Sequence, residues 1–200
     1  SHWEGGIAYK SIGVAYSSDN GYTWTQGRKI LNVDYVKPEI PRWSGLGDGC
    51  VVYNEERKQF VCYYSAYIAN EDFKICMAVS DDPSGAPGSW KKWDGSGFTI
   101  EGYNENTNVG GADHKIDGLN SRSGANPSVM WNRYLKKWVM VYAGWDNAIY
   151  MTTSNDGLIW ETPFAITNTD EEKATYPNLI GDKGVLREKS KLVRCKGIGL

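Results

Sequence analysis

The stretch CVVYNEERKQFVCYY at residues 50–64 decides the fold, because it matches SVMWNRYLKKWVMVY at residues 128–142 without a gap. Asn54 corresponds to Asn132 and Lys58 to Lys136, and apolar residues alternate on both sides of each polar turn. A polar turn between two alternating segments is typical of a β-hairpin. A third strand-like segment follows each hairpin, at 74–80 and at 148–154. The sequence therefore predicts a repeated all-β unit.

Three of the predicted third strands end in an aspartate-containing turn followed by tryptophan. The turns are SSDNGYTW at 17–24, SDDPSGAPGSW at 80–90 and SNDGLIW at 154–160. They resemble the Asp-box turns of sialidase-type propellers, in which the aspartate binds turn amides and the tryptophan packs between sheets. We interpret them as structural, and strand alternation predicts that they lie at the edge opposite the strand-1 entrances.

Four strands per unit predict propeller blades with large loops. Residues 1–27 would supply the last two strands of one blade, and 46–94 would form a second blade. Residues 124–163 would form a third, and 176–180 would begin a fourth. The predicted ring is not closed by this chain.

The segments that open the predicted blades resemble those of the five-bladed β-propeller glycoside hydrolases of family 43, the arabinanases and xylosidases, and the related fructosidases. They are GDGCVVYN at 47–54, ANPSVMWN at 125–132 and TYPNLIG at 175–181. The turn SDDPSGAPGSW also resembles a turn common in family 43, and the likeness covers most of residues 7–181. It implies an incomplete five-bladed propeller of four-stranded antiparallel blades as a single domain over 1–181, and 182–200 is an atypical basic tail.

The resemblance implies three catalytic acids near the starts of inner strands, and Asp48 alone matches. Asn126 and Tyr176 stand at the corresponding places. Asp48 lies between two glycines that would let a substrate approach, so it is a candidate general base or nucleophile, and the alternative is a structural cap at the strand entrance. Asp146 and Glu4 are candidates for the second carboxylate that glycoside hydrolysis requires.

Several residues of the predicted long loops suit a sugar, whose C–H faces stack on aromatic rings and whose hydroxyls pair with polar groups. His114 lies in the longest connection, 94–126, which could fold over the cleft as a lid. We expect Arg42, Asn126 and Tyr176 to orient the substrate. The complete candidate binding set is Arg42, Trp43, His114, Asn126, Trp145 and Tyr176.

Composition excludes several other classes of function. The net charge is −2 with acids and bases interspersed, so the basic surface that binds nucleic acid or anionic membranes is not expected. No apolar run approaches the roughly 20 residues of a membrane span. Four cysteines without a CxxC pair and two histidines do not build a structural zinc site, and we interpret Cys50, Cys62 and Cys76 as free thiols. We expect that the protein requires no cofactor. A structural calcium ion is the one bound group that we consider.

Three interpretations remain open. The first is a glycoside hydrolase that acts on an oligo- or polysaccharide with paired carboxylates on one face of the propeller, and that is extracellular or at the cell surface. The second keeps the fold without catalysis, as a carbohydrate-binding or cell-surface adhesion propeller. The third is an assembly module whose open sheet edge pairs with another chain.

Overall fold

A computed structural model describes residues 8–37, 43–68, 72–119, 124–144, 146–168 and 174–181, with the backbone alone at 43, 72 and 168. All regular secondary structure in these ranges is β, and no helix among them could cross a membrane. The strands are β1 Ala8–Lys10, β2 Ile12–Val14, β3 Arg28–Leu31, β4 Trp43–Asn54, β5 Gln59–Ile68, β6 Asp72–Ser80, β7 Trp90–Trp93, β8 Phe98–Glu101, β9 Gly124–Asn132, β10 Lys137–Gly144, β11 Ala148–Ser154 and β12 Phe164–Asn168.

Two antiparallel meanders correspond to the second and third predicted units. The first has the order β4-β5-β6-β7, with β8 added beside β7 and β1 paired in parallel with the start of β4. The second has the order β9-β10-β11-β12, and β2 and β3 form a separate ladder. The all-β prediction is confirmed. The predicted units 1–27 and 124–163 are too short at their ends, because the strand after each aspartate-containing turn begins one residue later, β3 at residue 28 and β12 at residue 164.

The two hairpin turns have the same local structure. Asn54 Oδ1 accepts a backbone N–H of its turn at 3.1 Å, and Asn132 Oδ1 accepts two at 3.0 and 2.9 Å. Each turn ends at a lysine with positive φ, Lys58 at 52° and Lys136 at 51°. The sequence repeat is therefore also a repeat of backbone conformation and side-chain bonding.

The three aspartate-containing turns share one bonding pattern, in which the serine Oγ accepts the N–H of the aspartate two residues later. The pairs are Ser17–Asp19 at 3.3 Å, Ser80–Asp82 at 3.2 Å and Ser154–Asp156 at 3.3 Å. The aspartate Oδ1 then accepts a further turn N–H at 2.8 Å in each case. These bonds explain the Ser-x-Asp spacing as turn chemistry.

The described core contains three apolar clusters, of which two lie on opposite sides of the β4–β7 sheet and the third lies in the β9–β12 sheet. One layer, with Tyr63 and Met77 of that sheet against Met140 and Trp160, joins it to the β9–β12 sheet. The other packs residues such as Cys62 and Tyr64 against Ile30 and Leu31 of the β3 region. Because β5 contributes to both layers, its residues 61–66 are all buried and its sequence loses the alternation of a half-buried strand.

The connection 94–126 is packed against the sheets along much of its described length. Gly110 donates its N–H to Val33 O at 2.8 Å, and a Cβ there would lie 2.1 Å from the backbone oxygen of Asn32. Ile116 is buried and donates its N–H to Ile75 O at 2.9 Å. Gly110 and Ile116 thus anchor the connection to the sheets, whereas most of its other described residues are partly or fully exposed.

A buried ion pair fastens the same connection to β7. Lys92 Nζ lies 2.8 Å from Asp113 Oδ1 and donates hydrogen bonds to Asn32 O and Gly111 O, both at 2.7 Å. The Tyr64 hydroxyl donates to Asp113 Oδ1 at 2.7 Å. All three ammonium protons therefore have an acceptor, as a fully buried lysine requires.

Candidate functional site

Three positions that open the repeats share an uncommon backbone conformation. Asp48 has φ 53°, Asn126 has φ 56° and Tyr176 has φ 52°. Left-handed residues other than glycine are uncommon, and asparagine and aspartate tolerate this region better than tyrosine does. The backbone therefore confirms that these three positions are equivalent, as the sequence alignment predicts.

The same kind of hydrogen bond, from a backbone N–H to a side-chain atom, connects each opening segment to the next one. Cys50 Sγ accepts the N–H of Val129 at 3.3 Å, and Ser128 Oγ accepts the N–H of Leu179 at 3.0 Å. Cys50 and Ser128 occupy matching repeat positions, as do Val129 and Leu179. The three left-handed positions consequently follow one another along one edge of the sheets, which we call the entrance edge.

Asp48 lies in a bulge of β4, between the pairs Gly47–Ser65 and Cys50–Tyr63. Its side chain is 21 % exposed, and its Oδ1 lies 3.7 Å from Lys10 Nζ. A Cβ at Gly47 would lie 3.0 Å from the Lys10 side chain, so glycine at this position lets the lysine approach. Asp48 is thus a partly exposed carboxylate with a cation beside it.

Asn126 is linked to the Asp48 bulge of β4 through Ser65. The Asn126 N–H donates to Ser65 Oγ at 3.0 Å, and Ser65 is buried opposite Gly47. A single hydrogen bond therefore holds the left-handed residue of the second sheet beside the Asp48 bulge of the first.

Asp146 lies at the entrance edge of the second sheet, two residues beyond Gly144. Gly144 pairs with Gly124, which precedes Asn126 by two residues. The Tyr150 hydroxyl donates to Asp146 Oδ2 at 2.6 Å, and a Cβ at Gly144 would lie 2.5 Å from Asp146 Oδ1. The carboxyl group is therefore held by a phenol and accommodated by a glycine.

The aspartate-containing turns of both sheets lie at the other edge, as predicted. Ser80, which begins one turn, pairs with Phe60 beside the β4–β5 hairpin. Asn54 of that hairpin donates its Nδ2 to Asp156 O at 3.4 Å. Asp82 and Asp156 thus lie near the Asn54 end of β4, six residues beyond Asp48, which is about 20 Å along a strand. Asp48 itself lies in the middle of β4 and not at the strand entrance that the sequence predicted.

The structure places the other predicted site residues in different circumstances. His114 is exposed beside Lys115, which bridges Cys76 of β6. Three strand spacings of about 4.8 Å each, roughly 14 Å in all, separate that segment from β4, so His114 is not adjacent to Asp48. Tyr176 is 62 % exposed. Glu4, Arg42 and Trp145 lie outside the described residues, as does the side chain of Trp43.

No protein-family model and no curated protein matches this sequence. Among solved structures, a glycosyl hydrolase from Bacteroides ovatus is similar with a TM-score of 0.46 and 17% identity, over 84% of this chain and 43% of that one. A second comes from work on the GH130 family of mannoside phosphorylases, which contains glycoside hydrolases that target β-1,2-mannosidic linkages in Candida mannan. Its TM-score is 0.45 at 18% identity, over 84% of this chain and 44% of that one.

The chain spans less than half the length of either structure. Similarity at this level shows neither a five-bladed ring nor membership of family 43. It also assigns no activity, so the function has to be argued from the residues.

The entrance edge offers both kinds of group that carbohydrate chemistry uses. Asp48 and Asp146 supply carboxylates, and the side chains of Lys10 and Asn126 carry N–H groups that can donate hydrogen bonds. In the described residues, no group of three or more His, Cys, Asp or Glu side chains could hold a metal ion. The expectation of a structural calcium ion therefore stays a prediction.

Sequence reasoning missed Lys10, Ser65 and Tyr150. Lys10 reaches Asp48 from β1, whose parallel pairing with β4 has no signature in the sequence. Ser65 lies inside an apolar run and corresponds to Ala143 in the next repeat, so the repeat does not mark it. Tyr150 could have been found, because it follows Asp146 by four residues across a hairpin.

Proposed function

We propose that this chain is part of a β-propeller glycoside hydrolase that binds an oligo- or polysaccharide at its entrance edge. One observation carries the proposal: Asp48, Asn126 and Tyr176 have the same left-handed backbone at equivalent places, and their side chains differ. The same packing requirement in each repeat explains why the three residues share a left-handed backbone conformation. It does not explain why their side chains differ, whereas an asymmetric ligand bound at this edge would contact a different side chain from each repeat.

The propeller arrangement is supported by the repeated contact between opening segments. The bond from Cys50 to Val129 recurs from Ser128 to Leu179, so β9 follows β4 in the same way as the segment 174–181 follows β9. That segment forms no strand in the structure, so the predicted opening strand of a fourth blade at 176–180 is not seen. We propose that the same step, continued, brings successive opening segments around a common axis. We propose that the ring has five blades of the family 43 type and that a longer protein supplies those beyond this chain.

In the proposed reaction, Asp48 is the general base or nucleophile and Asp146 is its partner. Asp48 is open enough to meet a substrate, and Tyr150 orients the carboxyl group of Asp146. Glu4 is the other candidate partner. Carboxyl groups about 5–5.5 Å apart act by retention, whereas about 6.5–9.5 Å leaves space for the water of an inverting mechanism, and we propose inversion from the family resemblance.

The test is Asp48→Asn, assayed on a panel of aryl glycosides and plant or algal polysaccharides. Because the amide keeps the size of the side chain and removes the base, kcat should fall by orders of magnitude with sugar affinity largely kept. Asp81→Asn is the matched control, since Asp81 is exposed at the opposite edge, where it accepts a hydrogen bond from Gln59 Nε2. Unchanged turnover in Asp48→Asn would exclude Asp48 as the base.

A non-catalytic carbohydrate-binding or adhesion propeller is the second candidate. It is favoured by the amide and phenol that stand where the family has acids, and by the ion pair that Asp48 makes with Lys10. Binding without turnover across the panel would decide for this function. Asn126→Gly should then weaken binding, since glycine accepts the left-handed backbone and lacks the amide.

We also propose that the protein is extracellular or at the cell surface, where polysaccharides are accessible. Fractionation of the source cells tests this location. Pairing of an open sheet edge with another chain remains a further proposal, and sedimentation of the purified chain at several concentrations tests it.

A further inference from the structure

A small pocket lies between the two sheets at the entrance edge. Two cationic side chains and a phenol line it, those of Lys74, Lys115 and Tyr142. The apolar side chains of Ile75, Ile116 and Leu119 complete the described lining, which contains no acid. Its polar side chains are therefore hydrogen-bond donors, and an electron-rich group is the complementary ligand.

The pocket adjoins the proposed carbohydrate site. Gly124, which also lines it, precedes Asn126 by two residues on β9. Ile75 pairs with Ser65, whose Oγ accepts the Asn126 N–H. A saccharide bound beside Asn126 would thus have the pocket within reach of one of its ring substituents.

The Tyr142 hydroxyl has an unused donor. Its oxygen is buried and has no hydrogen-bond partner in the structure, although a buried phenol ordinarily finds one. Burial raises the pKa of Tyr142, with Tyr150 and Asp146 adding to the effect, so the hydroxyl stays protonated at neutral pH. An acceptor brought into the pocket would relieve this unsatisfied group.

The size of the pocket limits what it can hold. The empty volume is about 240 Å³, part of it open solvent, which is below the roughly 300–1,000 Å³ of sites that enclose a whole small molecule. One substituent fits this space better than an entire sugar ring does.

We propose that this pocket is a subsite for the carboxylate of an acidic sugar, so that the saccharide recognised at the entrance edge contains a uronic acid. The inference rests on the proposed function and narrows its substrate class. Lys74 and Lys115 supply positive charge, Tyr142 supplies a hydrogen bond, and the apolar side chains shield these interactions from water.

The experiment is titration calorimetry of the protein with uronic acid oligosaccharides, each beside the neutral oligosaccharide made by reducing its carboxylates to alcohols. The acidic ligand should bind about tenfold tighter or more. Tyr142→Phe and Lys115→Met should each weaken acidic binding by about tenfold and leave neutral binding unchanged. Tyr134→Phe and Lys91→Met, exposed residues outside the pocket, are the matched controls.

The two failures are distinguishable. Equal affinity for the acidic and neutral members of a pair would overturn the subsite and leave the proposed function standing. Binding of neither member of any pair would count against both proposals. Inorganic sulfate that displaces the uronate at equal concentration would show a site for any small oxyanion and would also overturn the inference. Tyr142→Phe should keep the thermal midpoint of wild type, because the deleted hydroxyl has no partner, so lost binding could not be ascribed to unfolding.

Discussion

Replacing Lys92 by methionine should lower the free energy of unfolding by about 3–5 kcal/mol, the usual cost of breaking a buried ion pair from one side. The Lys92 side chain is 0% exposed and that of Asp113 4% exposed, so water cannot replace the lost cation. The carbonyl oxygens of Asn32 and Gly111 would lose their bonds to the ammonium as well. At about 2–4 °C per kcal/mol for a chain of this size, the thermal midpoint should fall by roughly 6–20 °C.

The loss should depend on pH. Burial raises the pKa of Asp113, and Lys92 opposes that rise. Without Lys92, the folded-state pKa therefore lies further above the unfolded value. A carboxyl group with a raised folded-state pKa destabilises the fold at higher pH, and this cost fades as pH falls toward the unfolded pKa. The difference in stability between wild type and Lys92→Met should thus shrink from pH 7 to pH 4.

Urea unfolding followed by circular dichroism measures these differences, with Lys91→Met on the same strand as the exposed control. Adding Asp113→Asn to Lys92→Met removes the stranded charge, so the double variant should be more stable than additivity predicts by about 1 kcal/mol or more. A loss below about 1 kcal/mol, strict additivity or a difference independent of pH would each refute the reasoning.

Two further predictions concern local structure. The pKa of Asp19, measured by NMR titration, should be about 2, chiefly because the Thr23 hydroxyl donates a hydrogen bond to its carboxylate. This bond stabilises the fold at neutral pH, and the stabilisation is lost as pH falls toward 2. Thr23→Val should raise the pKa of Asp19, and an unchanged pKa would contradict this cause. Gly45→Ala should lower the thermal midpoint, because φ at Gly45 is 85° and the new Cβ would lie 2.2 Å from the Lys10 carbonyl oxygen of β1. Gly97→Ala is the control and should leave the midpoint unchanged, because a Cβ at Gly97 meets no atom within 4 Å. Equal midpoints for the two variants would contradict the β1–β4 pairing.

The repeated hairpins and aspartate-containing turns could be predicted from sequence because their determinants are local. Asn54 and Asn132 bond within their own turns, and Ser154 and Asp156 are two residues apart. Pattern matching therefore located both meanders and the ends of their third strands. The prediction that Cys50, Cys62 and Cys76 are thiols is confirmed, because these three cysteines form no disulfide.

The rest could not be predicted because its determinants are distant in sequence. Lys10 approaches Asp48 only because β1 lies parallel to β4, and no local pattern encodes that pairing. The ion pair of Lys92 and Asp113 joins a strand to an irregular segment, where an aspartate has no periodicity to mark it as buried. For the candidate site, the repeat therefore located Asp48 and Asn126, and the partners of these residues had to be found in three dimensions.

Tyr176 provides the strongest physical reason to regard the entrance edge as functional. A left-handed backbone costs a residue with a Cβ roughly 1–2 kcal/mol, and a bulky aromatic lacks the local hydrogen bonds by which aspartate and asparagine tolerate it. Burial does not offset that cost, because the side chain is 62 % exposed. The Leu179–Ser128 bond fixes the backbone nearby, and glycine or asparagine at 176 would satisfy it with less strain. We therefore propose that a ligand stacks on the exposed Tyr176 ring, and Tyr176→Asn should then weaken saccharide binding without lowering the thermal midpoint.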